Sequence, residues 1–278
     1  GGHVLRIGII GCGAIGTTVA ARIDEGLPGI ELVAVSDSNP AAADQLRSAL
    51  KTQPEIASIV QVAKQSDVCL EATSAASAPA VIRAVLSQNS SALVLTVGAL
   101  INEPSLIKLA NSAGRRIYIP SGAVAGLDWI QAAAIGRLDK ITLTTRKPPA
   151  SLAGAPGFDE PADPASLQGE KIVFVGSVEE AVAKFPANIN VAALLALAAH
   201  SEPDLRQRTD WSKIQVRVVA DPTISQNVHE LEAAGQVGRL KVRIENEPSP
   251  LNPRSSMIAA FSAVATLRKI AAPVRAGT

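Results

Sequence analysis

The chain has few aromatic residues, few cysteines and almost no net charge. Aromatic residues make up 3% of its 278 positions and the formal net charge is +1, which argues against a nucleic-acid or anionic-membrane surface. No spacing of cysteine or histidine is typical of a metal site, so we expect no metal. No apolar run is long enough to cross a bilayer, and no secretory signal is recognisable. These absences leave a globular protein of the cytoplasm as the expectation.

The two cysteines and the bulk composition also favour a globular protein of the cytoplasm. Cys12 and Cys69 are expected to be small buried thiols in a reducing compartment, with no disulfide and no catalytic thiol. Hydrophobic residues make up 47% of the chain and charged residues 18%, which is enough apolar material for a sizeable core. The length of the chain favours two domains.

The N-terminal segment combines a strand, a glycine-rich turn and a helix. Residues 4–10 form an apolar strand pattern, residues 11–16 read GCGAIG, and residues 17–23 continue as a helix. A second apolar strand over residues 31–36 ends at Asp37, about 20 residues beyond the last glycine. This order and spacing are typical of a dinucleotide-binding βαβ unit.

Five of the six residues of the turn have an expected role in holding a dinucleotide. Gly11 permits the tight turn, and Gly13 leaves room for a pyrophosphate against bare backbone. Gly16 lets the helix pack closely on the strand. Ala14 and Ile15 begin the helix, whose free N–H groups and partial positive charge favour phosphate. We therefore predict that all five residues contact the cofactor.

Asp37 indicates which dinucleotide binds. A carboxylate at this strand end accepts hydrogen bonds from both ribose hydroxyls of NAD, whereas a 2′-phosphate would be repelled. The following residues 38–41 contain no arginine or lysine that would compensate such a phosphate. NAD is the expected cofactor, and NADP stays open as an alternative.

The alternation of elements predicts an α/β fold with two domains. Strand and helix patterns alternate up to residue 120, which indicates a doubly wound parallel sheet. Beyond it, strand patterns of period two predict a second α+β domain with a mixed or antiparallel sheet. We assign residues 1–122 to a dinucleotide-binding domain and residues 123–253 to a substrate and dimerisation domain. A helix within residues 254–278 is expected to pack back on the first domain.

Three histidines and two basic groups are the candidates for chemistry. His3 lies at the terminus, and His200 is expected to cap the end of a helix. His229 lies in an expected turn over residues 220–230, where a solvated side chain is the ordinary interpretation. The basic candidates are Lys147, at a strand end, and Arg254, which precedes Ser255 and Ser256 at an expected helix start where free N–H groups favour an anion.

Taken together, these motifs resemble L-aspartate dehydrogenases over nearly the whole chain. The stretches that carry the resemblance are residues 10–16, 96–100, 120–123, 145–149, 188–193, 220–222, 227–229 and 252–256. The resemblance implies a Rossmann domain joined to a substrate domain, related to homoserine dehydrogenase. It further implies contacts with the nicotinamide cofactor at Ala123 and Asn190, a catalytic His229, and a homodimer.

The implied activity is the NAD(P)-dependent oxidation of L-aspartate to iminoaspartate, which hydrolyses to oxaloacetate and ammonia or feeds NAD biosynthesis. Aspartate carries two carboxylates, so its site needs a cation or a helix N-terminus, for which Lys147, Arg254, Ser255 and Ser256 are the candidates. Hydride departure needs a neutral amine, so we expect His229 to be a base with a pKa near neutrality. The alternatives are a homoserine-dehydrogenase-like or other small-acid reductase and a non-catalytic NAD(H)-binding sensor.

Overall fold

A computed structural model describes residues 4–158, 167–186, 190–200 and 211–277, apart from the side chain of Arg254. The chain divides into two compact units. The first unit comprises the described residues up to Gly122 together with Ala259–Ala276, and the second comprises those from Ala123 to Ile258. Within the described part, no helix has the length and apolar character needed to span a bilayer.

The first unit is built on a six-stranded parallel sheet in the order β3-β2-β1-β4-β5-β6. Its strands are β1 (Leu5–Ile10), β2 (Ile30–Ser36), β3 (Glu55–Ile56), β4 (Val68–Glu71), β5 (Ser91–Val94) and β6 (Ile117–Tyr118). Its helices are α1 (Ala14–Asp24), α2 (Pro40–Ser48), α3 (Ile59–Gln65), α4 (Ala78–Ser87), α5 (Gly98–Asn102) and α6 (Ser105–Ser112). The predicted doubly wound parallel sheet is therefore confirmed.

The core of this unit explains the continuous apolar runs of its strands. Ile7 and Ile9 of β1 are fully buried, as are Leu70 of β4 and Leu93 of β5. Strands covered on both faces need apolar side chains on both faces, which is the pattern that the sequence shows. The helix α11 (Met257–Ala271) completes the core with buried side chains that pack against it: Ala260, Ala263, Val264 and Leu267.

The second unit is built on a five-stranded mixed sheet in the order β11-β10-β7-β9-β8. Its elements are α7 (Leu127–Ile135), β7 (Leu138–Lys147), α8 (Pro149–Leu152), β8 (Lys171–Gly176), α9 (Val178–Lys184), α10 (Asn190–Ala198), β9 (Ile214–Ala220), β10 (Asn227–Gly235), β11 (Gly238–Asn246), β12 (Pro248–Ser249) and β13 (Asn252–Ser256). The strands β7 and β9 are parallel, and the other neighbouring pairs of the sheet are antiparallel. The expected α+β domain with a mixed sheet is confirmed.

The segment around His229 is a strand, so the predicted turn over residues 220–230 is wrong from Asn227 onward. β10 pairs on one side with β11 and on the other with β7. Its inward positions hold His229, Leu231 and Ala233, all buried. A polar ring and a small alanine in a row of core positions weaken the apolar alternation by which a strand is recognised.

The predicted helix start at Arg254, Ser255 and Ser256 is also wrong. These residues belong to β13, which pairs with β12, and the helix begins only at Met257. Ser255 donates its hydroxyl to the carbonyl of Asn252 at 3.0 Å. Neither serine therefore lies in the first turn of the helix, because the strand pairing holds the chain extended up to Ser256.

Candidate active site

The glycine turn has the geometry that a dinucleotide needs. Gly11 has a φ of +101°, and its N–H donates to the carbonyl of Ser36 at 2.8 Å. A Cβ on Gly16 would collide with the carbonyl oxygen of Gly11, so only glycine permits this approach of helix to strand. Gly13 is exposed, and a Cβ added there would meet nothing within 4 Å. Backbone at Gly13 is thus open to a ligand.

The N-terminus of α1 has features that favour the binding of an anion. Gly13 is the N-cap residue and has no side chain to cap the helix, and the first turn carries no acidic residue. Ala14 and Ile15 are half-buried residues of this first turn. N–H groups at a helix N-terminus that lack a side-chain cap suit a pyrophosphate. The residues at this end of the unit fit a dinucleotide.

Asp37 lies just beyond β2 with its carboxylate held by two backbone donors. Cys12 N–H donates to Oδ2 at 2.6 Å, and Asn39 N–H donates to Oδ1 at 2.7 Å. Each carboxylate oxygen retains a further lone pair with which to accept a hydroxyl. Burial, and second the Asp37 charge, raise the pKa of the Cys12 thiol to about 11, so this thiol stays protonated at neutral pH. Cys12 and Cys69 are both free and buried, as expected.

Glu71 is a residue of this unit whose role sequence reasoning missed. It ends β4 and is 0% exposed. Its oxygens accept hydrogen bonds from the N–H groups of Thr73, at 2.8 Å, and Thr96, at 3.0 Å, and from both of their hydroxyls. One carboxylate thereby fixes the chain segments that follow β4 and β5. The acidic residue ending an apolar strand was the available signal.

In the second unit, His229 and Lys147 lie on the same buried face of the sheet. His229 of β10 stands directly opposite Thr145 of β7, and Lys147 follows two residues later on that strand. His229 is 3% exposed and Lys147 is 5% exposed. The Nδ1 atom of His229 lies 3.1 Å from the Thr145 hydroxyl oxygen. The structure therefore brings together two of the predicted site residues.

Burial shifts the ionisation of both side chains. Burial, and second the neighbouring Lys147 charge, lower the pKa of His229 to about 3. Burial lowers the pKa of Lys147 to about 8. The expectation of a near-neutral pKa for His229 is wrong for the ligand-free protein, because the imidazole is enclosed and faces a cation. At pH 7 the pair consists of a neutral imidazole and an ammonium ion.

Two of the remaining candidates of this unit, Ser256 and Ala123, are linked by hydrogen bonds to residues at the start of β10 and the end of β11. Asn227 Nδ2 donates to the buried Ser256 hydroxyl at 3.3 Å, and Asn227 stands opposite Asn246 of β11. Asn246 Nδ2 donates to the carbonyl of Ala123 at 2.9 Å. Asn190 is the first residue of α10 and is half-buried. Across the described ranges, no group of three or more His, Cys, Asp or Glu residues could hold a metal ion.

Two family models match the two halves of the chain. The model "Homoserine dehydrogenase, NAD binding domain" matches residues 11–120, and the model "Aspartate dehydrogenase, C-terminal" matches residues 128–270. The L-aspartate dehydrogenase of Methanosarcina barkeri is 40% identical over 280 aligned residues, which cover 99% of this chain and 100% of that protein. The chain belongs to the aspartate dehydrogenase family. Lys147 and His229 both fall within its C-terminal model.

Other members of the aspartate dehydrogenase family match over similar lengths. The L-aspartate dehydrogenase of Bradyrhizobium diazoefficiens is 36% identical, over 99% of this chain and 94% of that protein. The crystal structure of aspartate dehydrogenase from Thermotoga maritima matches with a TM-score of 0.74 and 25% identity, covering 99% of this chain and 100% of that one. A scyllo-inositol dehydrogenase from Lactobacillus casei, at 14% identity and a TM-score of 0.58, shares the fold over 97% of this chain and 87% of its own.

Proposed function

We propose that the chain is an NAD-dependent L-aspartate dehydrogenase, which converts L-aspartate to iminoaspartate and, after addition of water, to oxaloacetate and ammonia. The observation that carries the proposal is the buried pair of a neutral imidazole, His229, and a cation, Lys147, on one sheet face of the unit matched by the aspartate dehydrogenase model. This pair offers a proton acceptor and an anion-binding group, which an amino acid with two carboxylates requires.

The first unit supplies the cofactor site of this proposal. A nicotinamide held there would supply the hydride acceptor for the oxidation at the substrate Cα. Gly11, Gly13 and Gly16, with the first turn of α1, would hold the pyrophosphate, and Asp37 would accept hydrogen bonds from the ribose. A 2′-phosphate would meet the Asp37 charge, which supports NAD over NADP. Ala123 and Asn190 are the proposed nicotinamide-side contacts.

His229 is the proposed base. The substrate ammonium must lose a proton before hydride leaves Cα, and a neutral imidazole can accept it. The depressed pKa keeps His229 unprotonated and able to accept a proton. The two carboxylates of bound aspartate offset the Lys147 charge, which raises the pKa of His229 in the complex, as an adjacent opposite charge does. The substrate thus strengthens the base that acts on it.

Lys147 is the proposed partner of a substrate carboxylate, with Arg254, Ser255 and Ser256 as further candidates. Ser256 is supported by its hydrogen bond to Asn227, two residues before His229. We further propose a cytoplasmic homodimer whose iminoaspartate can supply NAD biosynthesis before it hydrolyses. Buried, reduced Cys12 and Cys69 suit that compartment.

A substrate panel combined with one variant tests the proposal. NADH formation should occur with L-aspartate and not with L-homoserine, whereas binding of NAD without turnover would indicate a sensor. His229→Ala should lower kcat by about 10²–10⁴-fold, the usual contribution of a positioned base, and leave NAD affinity unchanged. His200→Ala is the matched control and should keep normal kcat. Hydride transfer by His229→Ala in a single turnover at a near wild-type rate would contradict the assigned role.

A further inference from the structure

The Thr145 hydroxyl is a buried polar group on the sheet face that also holds His229 and Lys147. Thr145 is 0% exposed, and the inward residues around it, Leu143, Val218 and Leu231, are fully buried too. Burial of a hydroxyl without a hydrogen bond costs about 1–3 kcal/mol, and a valine would fill the same volume without that cost. The hydroxyl instead lies 3.1 Å from Nδ1 of His229, directly across the strand pair. The hydrogen bond with His229, and not the packing of the side chain, therefore explains why a threonine occupies position 145.

The two ring nitrogens of His229 are in different situations. Thr145 Oγ1 lies within hydrogen-bond distance of Nδ1, and a hydroxyl can either accept the proton of that nitrogen or donate its own proton to it. Among the described residues, two buried side-chain nitrogens lack a hydrogen-bond partner, and these are His200 Nε2 and Trp211 Nε1. His229 Nε2 is not one of them, so it is not both enclosed and unpartnered. In a neutral imidazole one nitrogen donates and the other accepts, and the hydrogen bond of one nitrogen sets the state of the other.

We propose that Thr145 is a positioning residue that accepts the Nδ1–H of His229 and so directs the lone pair of Nε2 toward the substrate. The inference rests on the proposed function, because a base that works through Nε2 must carry its resting proton on Nδ1. The proton taken from the substrate ammonium then joins Nε2, and the imidazolium keeps its Nδ1–H donated to Thr145. No other group changes its bonding in this step.

A threonine does this differently from a carboxylate. A carboxylate at this position would fix the same tautomer but would also stabilise the imidazolium by its charge and raise the pKa of His229. The hydroxyl is neutral and rotates to present a lone pair. It therefore orients the ring without protonating it in the ligand-free enzyme, and the charge that stabilises the imidazolium comes from the substrate.

The test compares three variants of the full-length enzyme. Thr145→Val removes the hydroxyl at constant shape, and Thr145→Ser retains it. Thr144→Val is the matched control, because Thr144 lies on the opposite face of the same strand, across from Glu230. The chain has three histidines, so ¹⁵N imidazole shifts resolve the tautomer of His229, which is assigned by its absence from His229→Ala. Single-turnover hydride transfer from L-aspartate is measured in parallel.

We expect wild-type His229 to carry its proton on Nδ1 and Thr145→Val to move it to Nε2. Hydride transfer should then fall about 10-fold to 10²-fold, less than on removal of the base itself. NAD affinity should stay constant, Thr145→Ser should restore both readouts, and Thr144→Val should change neither. A wild-type proton on Nε2, an unchanged tautomer in Thr145→Val, or an equal loss in Thr144→Val would overturn the proposal. The tautomer is read without turnover, so this result stays separable from a failure of His229→Ala.

Discussion

The buried charge of Lys147 should lower the stability of the fold. The proposed function needs this charge to bind a substrate carboxylate. The residue is 5% exposed, and burial lowers the pKa of its ammonium from 10.5 to about 8. At about 1.4 kcal/mol for each pH unit, this difference corresponds to about 3 kcal/mol of unfolding free energy at neutral pH. Lys147→Met keeps a side chain of similar length and removes the charge. We predict that the variant is more stable than the wild type at pH 7, by up to about 3 kcal/mol.

The two pKa values of Lys147 determine how the stability difference between the wild type and Lys147→Met changes with pH. An unfolded lysine holds its proton up to about pH 10.5, whereas the folded Lys147 releases its proton near pH 8. Between these values the unfolded state binds more protons, so the unfolding free energy of the wild type rises with pH. Below pH 8 the full cost of the buried charge is present. The advantage of Lys147→Met should therefore be largest at pH 7 and should vanish toward pH 10.5.

Urea unfolding followed by tryptophan fluorescence measures this difference. Both tryptophans of the chain, Trp129 and Trp211, belong to the unit that contains Lys147. Lys140→Met is the control, because Lys140 is an exposed residue of the same strand and should show no pH-dependent difference. The reasoning fails if Lys147→Met is less stable at pH 7 or keeps the same difference at pH 10. The variant should also raise KM for aspartate while NAD affinity stays normal.

Two further predictions concern the first unit. Asp37→Ala should weaken NAD binding more than NADP binding in titrations, because it removes a ribose acceptor and the repulsion of a 2′-phosphate; unchanged NAD affinity would exclude Asp37 from the ribose site. Glu71→Gln should lower the free energy of unfolding in urea by about 1–3 kcal/mol, since an amide N–H₂ would face the N–H of Thr96. Glu103→Gln, at an exposed carboxylate, is its control. An equal loss of stability in the two variants would contradict the role of Glu71 in fixing the segments that follow β4 and β5.

The sequence predicted the first unit well because its signals are local. The glycine turn, the helix after it and Asp37 lie within one βαβ unit, and the buried strands are continuous apolar runs. A terminal helix was predicted within residues 254–278, with its start at residues 254–256, and it extends from Met257 to Ala271. Its start was misplaced because Ser255 and Ser256 resemble helix caps, while β13 pairs with the adjacent two-residue strand β12 and keeps the chain extended up to Ser256.

The second unit was harder because its site depends on register across strands. Thr145 and His229 are 84 residues apart, and their contact exists only because β7 and β10 pair in one register. No local pattern carries that register, so the enclosure of His229 and its depressed pKa were missed. The same holds for Glu71, whose partner Thr96 follows a neighbouring strand. Residue types and motifs identified His229 and Lys147 as candidates, and tertiary structure determines their charge states.

The return of α11 to the first unit has a consequence for how the protein is synthesised. The side chains of Ala260, Ala263, Val264 and Leu267 belong to a core whose other members, such as Ile7 and Ile9, leave the ribosome some 250 residues earlier. Until α11 emerges, the nascent first unit exposes the apolar surface that this helix covers, which is the kind of surface that chaperones bind. The part of the second unit from Ala123 to Ile258, in contrast, is one uninterrupted stretch of chain that can fold while translation continues. A ribosome-bound chain should therefore complete its second unit before its first.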